Sequence, residues 1–88
     1  MELIGNVLWW SERDQNGIIV DPYGNEFYFD SSVLLLSKNQ KISRNTIVTF
    51  FYNKSVPDCL CAKGVIVPQP SKRKILEKQY KNELISSI

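Results

Sequence analysis

The sequence predicts an all-β fold, a five-stranded antiparallel barrel followed by a C-terminal α-helix. Short runs rich in β-branched and aromatic residues alternate with turn residues over the first two thirds of the chain, which is typical of small β-proteins. A Pro-Tyr-Gly-Asn turn at residues 22–25 joins two of these runs as a hairpin. After position 70 the apolar residues recur every four positions, which indicates a helix. Short strands, glycine-marked turns and an early hairpin favour a barrel of the OB type.

The first three strands are predicted at residues 3–11, 18–21 and 26–30. The first strand carries aromatic and branched residues that suit a pleated surface. A polar turn at residues 12–16 follows it, and Gly17 gives the backbone freedom where the chain re-enters the sheet. The second and third strands form the hairpin.

A longer connection at residues 31–44 leads to the second half of the barrel. It contains the apolar run 33–36, which we interpret as one helical turn that plugs an end of the barrel. The fourth strand is predicted at residues 46–52 and the fifth at residues 59–67, with a polar loop between them. The prolines at residues 68 and 70 end the fifth strand.

The last segment is predicted to be an amphipathic helix over residues 71–88, with Ser71 as a candidate N-cap. Its apolar stripe recurs at intervals of four and consists of Leu76, Tyr80, Leu84 and Ile88. A helix this short is marginal by itself in water, so the stripe needs a surface to cover.

Two alternatives follow for this helix. The stripe packs back on the barrel, or Leu76, Tyr80 and Leu84 bind a protein partner or a second copy of the chain. In both cases the chain divides into a barrel at residues 1–68 and a basic amphipathic helix at residues 69–88.

Composition and charge indicate one folded globular domain: 88 residues, 43% hydrophobic and 23% charged. We expect a cytoplasmic protein without a membrane partner, because no apolar run is long enough for a span and no basic leader precedes one. The net charge of +2 is uneven, at −5 over residues 1–30, +4 over residues 31–70 and +3 over residues 71–88. Positive charge normally gathers where nucleic-acid phosphates bind. The acidic first third therefore argues against tight phosphate binding there.

Catalytic chemistry finds little support in the sequence. The chain has no histidine, no glycine-rich phosphate loop followed by lysine, and no carboxylates spaced as a paired acid and base. Cys59 and Cys61 are too few for a zinc site, and in a regular strand they would lie about 7 Å apart, a poor geometry for a disulfide. We predict that both cysteines are reduced. We also predict that the chain is not an enzyme and has no cofactor, metal or small-molecule substrate.

Three motifs of the first third resemble the cold-shock domain family. Members of that family open with Gly-x-Val-Lys-Trp-Phe-Asn, and this chain has Gly5-Asn6-Val7-Leu8-Trp9-Trp10-Ser11. The second motif, Gly-Phe-Gly-Phe-Ile, is matched by Gln15-Asn16-Gly17-Ile18-Ile19. The third, Asp-Val-Phe-Val-His-Phe-Ser-Ala-Ile, is matched by residues 26–34, and residues 46–50 and 61–65 look like the last two strands. The resemblance covers residues 3–67 and implies an OB barrel that stacks single-stranded nucleic acid on exposed aromatic rings.

The resemblance implies that Trp9, Trp10 and Tyr28 stack bases on the barrel face, where Ile18 stands at a phenylalanine position. We expect lysines on the rim or the C-terminal tail, Lys63 among them, to assist binding. In a regular strand Trp9 and Trp10 point to opposite faces, and we expect Trp9 to be exposed. Tyr28 lies between Phe27 and Phe29, so it faces outward if those two face the core.

The chain departs from the family pattern on this face: Leu8 and Asp14 replace lysines, Asn16 and Ile18 replace phenylalanines, and Asp30 and Ser31 replace a histidine and a phenylalanine. Losing two stacks costs about two decades of affinity or more. We therefore predict weak or broad binding of single-stranded nucleic acid, RNA rather than DNA. The alternative is a protein–protein adaptor or inhibitor that uses the barrel face or the helix, because barrels host many functions.

Overall fold

The structure is a computed structural model that describes residues 2–36, 40–52 and 60–86. Its elements are β1 (Leu3–Ser11), β2 (Asn16–Val20), β3 (Glu26–Asp30), β4 (Leu34–Leu35), β5 (Ile47–Tyr52), β6 (Ala62–Ile66) and α1 (Pro70–Ser86). Within the described ranges no helix is long and apolar enough to cross a membrane.

The strands form one sheet in the order β3-β2-β1-β5-β6-β4, which curls into a nearly closed barrel. Neighbouring strands are antiparallel except β4 and β6, which run parallel. The barrel closes between β3 and β6, where Tyr28 bridges to Cys61 and the Tyr28 amide donates to the Leu60 carbonyl oxygen at 2.8 Å. The predicted all-β barrel with a C-terminal helix is confirmed, with six strands instead of five.

The additional strand lies where the sequence predicts a helical turn, at residues 33–36, and that prediction is wrong. Leu34 and Leu35 form β4, and Leu34 pairs with Val65 of β6. The Val65 amide also donates to the Val33 carbonyl oxygen at 2.8 Å. Periodicity does not distinguish a short apolar strand from a buried helical turn. The unpaired edge of β6 decides in favour of the strand, because its backbone groups need partners.

Cys61 corrects a second prediction, since it is disulfide-bonded and not reduced. The prediction assumes regular strand geometry through both cysteines. However, β6 begins only at Ala62, and Cys61 forms an isolated bridge with Tyr28. The spacing of a regular strand therefore does not apply at this position. Cys59 lies outside the described residues.

The core is built by inward-facing side chains from five strands. The largest fully buried ones are Phe29, Phe50, Ile19, Val7, Val48 and Val65. Alternation along β3 buries Phe27 and Phe29 and leaves Tyr28 outside, which confirms the expectation for that strand. Gly5 allows β1 to cross the core closely, because a Cβ atom there would lie 2.2 Å from Ile19 Cγ2.

The helix packs back on the outer surface of β1 and β5. Leu76 and Tyr80 are buried against Ile4 and Ile47. The Tyr80 hydroxyl donates to the carbonyl oxygen of Val20 at 3.3 Å, which ties the helix to β2 as well. Burial raises the pKa of Tyr80, and the nearby Asp21 carboxylate raises it further. The first of the two alternatives for the helix therefore holds for Leu76 and Tyr80.

The helix begins at Pro70, one residue before its predicted start. Proline suits the first position of a helix because it has no amide hydrogen to leave unpaired there. The Arg73 amide donates to the Gln69 carbonyl oxygen at 2.8 Å, so Gln69 occupies the N-cap position. Ser71 lies inside the first turn, and its prediction as the N-cap is wrong.

Candidate nucleic-acid interface

Three side chains lie next to one another across β1, β2 and β3, and we call Trp9, Ile18 and Tyr28 the outer row. Trp9 is the cross-strand partner of Ile18, and Ile18 is the partner of Tyr28. Directly opposite residues in neighbouring strands project from the same face of a sheet. Trp9 is 43% exposed and Tyr28 is 41% exposed, while Ile18 between them is half-buried. Three of the residues implied by the sequence resemblance thus form one surface.

A β-bulge in β1 determines which tryptophan faces outward. The register with β2 shifts between Val7 and Trp9. Val7 is fully buried, Leu8 and Trp9 are both exposed, and Trp10 is half-buried. An extra residue in one strand moves the in–out alternation by one position. Without the bulge, the burial of Val7 would direct Trp9 into the core as well.

Trp10 points to the opposite side from Trp9, and the structure does not bring it into the outer row. Its ring stacks on Phe29, with centroids 5.2 Å apart and planes inclined by 25°. The indole Nε1 donates to Glu12 Oε1 at 3.2 Å. Trp10 also lines a separate groove of about 480 Å³ near Leu36. Its contacts therefore hold β1 against the core.

A second row, which we call the polar row, consists of Ser11, Asn16 and Asp30. Asn16 pairs with both of the others, two residues along each strand from the outer row. Two residues of strand correspond to about 7 Å. Asp30 Oδ1 accepts a hydrogen bond from the Ser32 amide at 2.9 Å and another from the Ser32 hydroxyl. The polar row thus brings a carboxylate and an amide close to the aromatic rings.

Lys63 lies at the Tyr28 end of the outer row. It is exposed on β6 and lines a hollow of about 170 Å³ together with Tyr28, Asp30 and Cys61. A cation at this position partly offsets the Asp30 carboxylate. Lys63 therefore lies beside the outer row, on the rim where, from the sequence, we expect it to assist binding.

Two exposed leucines widen this surface and were not among the predicted residues. Leu8 precedes Trp9 and is 38% exposed, and Leu60 lies beside Tyr28 and is 42% exposed. With Trp9 expected outside, strict alternation places Leu8 inside, and the bulge is what leaves both residues exposed. Leu60 lies outside the regular strands, where periodicity gives no signal.

Comparison with solved structures identifies the fold. The structure of Drosophila Unr CSD456, which contains cold-shock domains, matches this chain with a TM-score of 0.64 and 17% identity. The chain folds as a cold-shock-like OB barrel. The match covers 80% of this chain, which spans 28% of the length of the Unr chain. No protein-family model matches the sequence, and no curated protein shows significant similarity to it.

The three helix residues proposed for partner binding, Leu76, Tyr80 and Leu84, differ in how far they are buried against the cold-shock-like barrel. Leu76 and Tyr80 lie on the face of α1 that is buried against the barrel, and they hold the helix in place. Leu84 is 43% exposed and lines a cleft of about 340 Å³ between the helix and the barrel. Of the three, only Leu84 presents substantial surface to a further molecule.

Proposed function

We propose that this chain binds single-stranded nucleic acid on the outer row, as a binding protein and not as an enzyme. The observation that carries the proposal is the in-register placement of two exposed rings, Trp9 and Tyr28, on either side of Ile18. Every base has a π-face, so exposed rings bind single strands with little sequence preference. The cold-shock domains of the similar solved structure support nucleic acid as the kind of partner.

The spacing of the outer row suits two successive stacks. Neighbouring strands lie about 4.8 Å apart, so the Cα atoms of Trp9 and Tyr28 are separated by roughly 10 Å across β2. Each stack contributes roughly 1–3 kcal/mol. Two rings, with an aliphatic contact from Ile18 between them, give modest affinity. We therefore propose weak binding with broad sequence preference, aided by Lys63 beside Tyr28.

The polar row supports RNA over DNA as the ligand. The carboxylate of Asp30 and the amide of Asn16 are hydrogen-bond acceptors next to the outer row. The ribose 2′-hydroxyl is the donor that distinguishes RNA from DNA at such a position. Phosphates, in contrast, are repelled by Asp30. A single-stranded RNA with its riboses toward the polar row can donate from its 2′-hydroxyl groups there while its phosphates lie away from Asp30.

A competition experiment tests this function. A fluorescently labelled single-stranded RNA is bound by the protein and displaced by unlabelled RNA, DNA or RNA duplex of the same sequence. We expect RNA to compete best, DNA less well, and the duplex at least tenfold more weakly, because paired bases cannot stack on protein rings. Equal competition by the duplex would show that backbone charge alone drives binding. No binding of any of the three at tens of micromolar would contradict the proposal and favour a protein contact at the outer row.

A further inference from the structure

The helix α1 carries a row of exposed lysines outside the face that packs on the barrel. Lys74, Lys78 and Lys81 are spaced by four and three residues, so they share one face of the helix, and all three are exposed. We call them the lysine stripe. Leu76 and Tyr80 anchor a different face of the helix to the barrel. Glu77 lies between Lys74 and Lys81 at the edge of the stripe and lines the same cleft as Lys81.

The docked helix lies next to the outer row. Tyr80 donates to the carbonyl oxygen of Val20, and Val20 is two residues from Ile18 on the same face of β2. Lys81 lines the cleft that also contains Asn6, and Asn6 precedes Trp9 by three residues on β1. Three residues of strand correspond to about 10 Å. Lys81 therefore borders the outer row on the side near Asn6 and Val20, and Lys78 and Lys74 continue the stripe along the helix.

The other side of the outer row, reached by following β1 away from Asn6, is acidic. Glu12 and Asp14 lie in the β1–β2 connection, where Asp14 is held by hydrogen bonds with Ser11. A phosphate backbone is repelled there and attracted toward the helix. At 0.1 M salt charges interact over about 10 Å, so Lys81 lies within reach of a nucleotide stacked on Trp9.

We propose that α1 is the phosphate-contacting border of the nucleic-acid site, with the lysine stripe running beside the backbone of a single strand whose bases stack on the outer row. This inference rests on the proposed function. It gives the helix a role that the barrel itself cannot fill, because Leu8 and Asp14 stand where the resembling family has lysines. The bound strand then has its phosphates toward α1 and its riboses toward the polar row.

Salt dependence measures this contact. The variant Lys74→Gln/Lys78→Gln/Lys81→Gln removes three cations with little change in helix propensity. For single strands the slope of log K against log salt is about 0.7 per neutralised phosphate, so we expect the triple variant to lose about 2 from the slope. The measurement is fluorescence anisotropy of a labelled single-stranded RNA at several KCl concentrations.

A single substitution on the same helix provides the control. Lys72 lines a different hollow with Thr49 and Ile66, on the side of α1 away from the outer row. Lys72→Gln is therefore expected to keep the wild-type slope, while Lys81→Gln lowers it. A triple variant with the wild-type slope, or equal effects of Lys72→Gln and Lys81→Gln, would overturn the role of the helix and leave stacking on the outer row intact. Absence of binding by the wild-type chain would overturn both proposals.

Discussion

Replacing both Trp9 and Tyr28 with alanine is expected to lower the affinity for single-stranded RNA by about 2–6 kcal/mol, because each ring stacks one base at roughly 1–3 kcal/mol. At the lower end this is a loss of roughly 30-fold in Kd. Both side chains are more than 40% exposed, so their removal leaves the core unchanged. Anisotropy titration of a labelled oligonucleotide measures the loss, and circular dichroism checks the fold.

Phe51 offers the matched control for that experiment. It is 41% exposed, the same as Tyr28, but it lies on β5 outside the outer row. Phe51→Ala is expected to bind RNA within about twofold of wild type, since it removes no stack from the outer row. If Phe51→Ala weakened binding as much as the double variant, exposed aromatic surface in general would explain the affinity, and the outer row would have no special role.

Phe50→Ala is expected to destabilise the barrel by about 3–5 kcal/mol, the usual range for emptying a phenylalanine site in a core. Phe50 is fully buried, and its ring centroid lies 4.9 Å from that of Phe27. It also packs beside the crossing point of β1, since a Cβ atom on Gly5 would lie 2.8 Å from its ring. Urea unfolding measures the change. A loss of this size is a large part of the stability of a small domain.

The neighbouring Phe51 again supplies the comparison. Its side chain faces outward, so Phe51→Ala is expected to change the free energy of unfolding by no more than about 1 kcal/mol. Equal destabilisation by the two variants would contradict the inward direction of Phe50 and the register of β5 with β1.

Much of the barrel is predictable from local pattern. The bounds of β1 and β3 follow from runs of aromatic and branched residues that end at polar turns. The turn between β2 and β3 is visible in its proline and glycine, and Gly24 adopts a φ of 90°, which glycine tolerates. The strand β4 is different. Its two residues become a strand only because β6 offers an edge, and that is a long-range condition.

The site was harder to predict than the fold. The resemblance to cold-shock domains makes Trp9, Ile18 and Tyr28 candidates, but the orientation of the tryptophans depends on the β-bulge after Val7. Regular strand alternation places the two tryptophans on opposite faces but does not determine which of them faces outward. The choice of Trp9 over Trp10 thus follows from the register with β2.

The helix shows the same division between local and long-range information. Spacing alone predicts a helix with Leu76 and Tyr80 on one stripe. Where the lysine stripe lies relative to the outer row depends on the docking of Tyr80 onto Val20, across most of the chain. The sequence pattern therefore predicts which residues share a face of the helix, but not which part of the barrel each face lies against.

Tryptophan fluorescence of the Trp10→Phe variant tests the central claim most directly. The chain has two tryptophans, so this variant reports on Trp9 alone, and phenylalanine keeps a ring stacked on Phe29. We expect single-stranded RNA to quench the emission saturably and added salt to reverse the quenching. Unchanged emission at RNA concentrations that saturate anisotropy binding would contradict stacking on Trp9 and place the site elsewhere on the barrel.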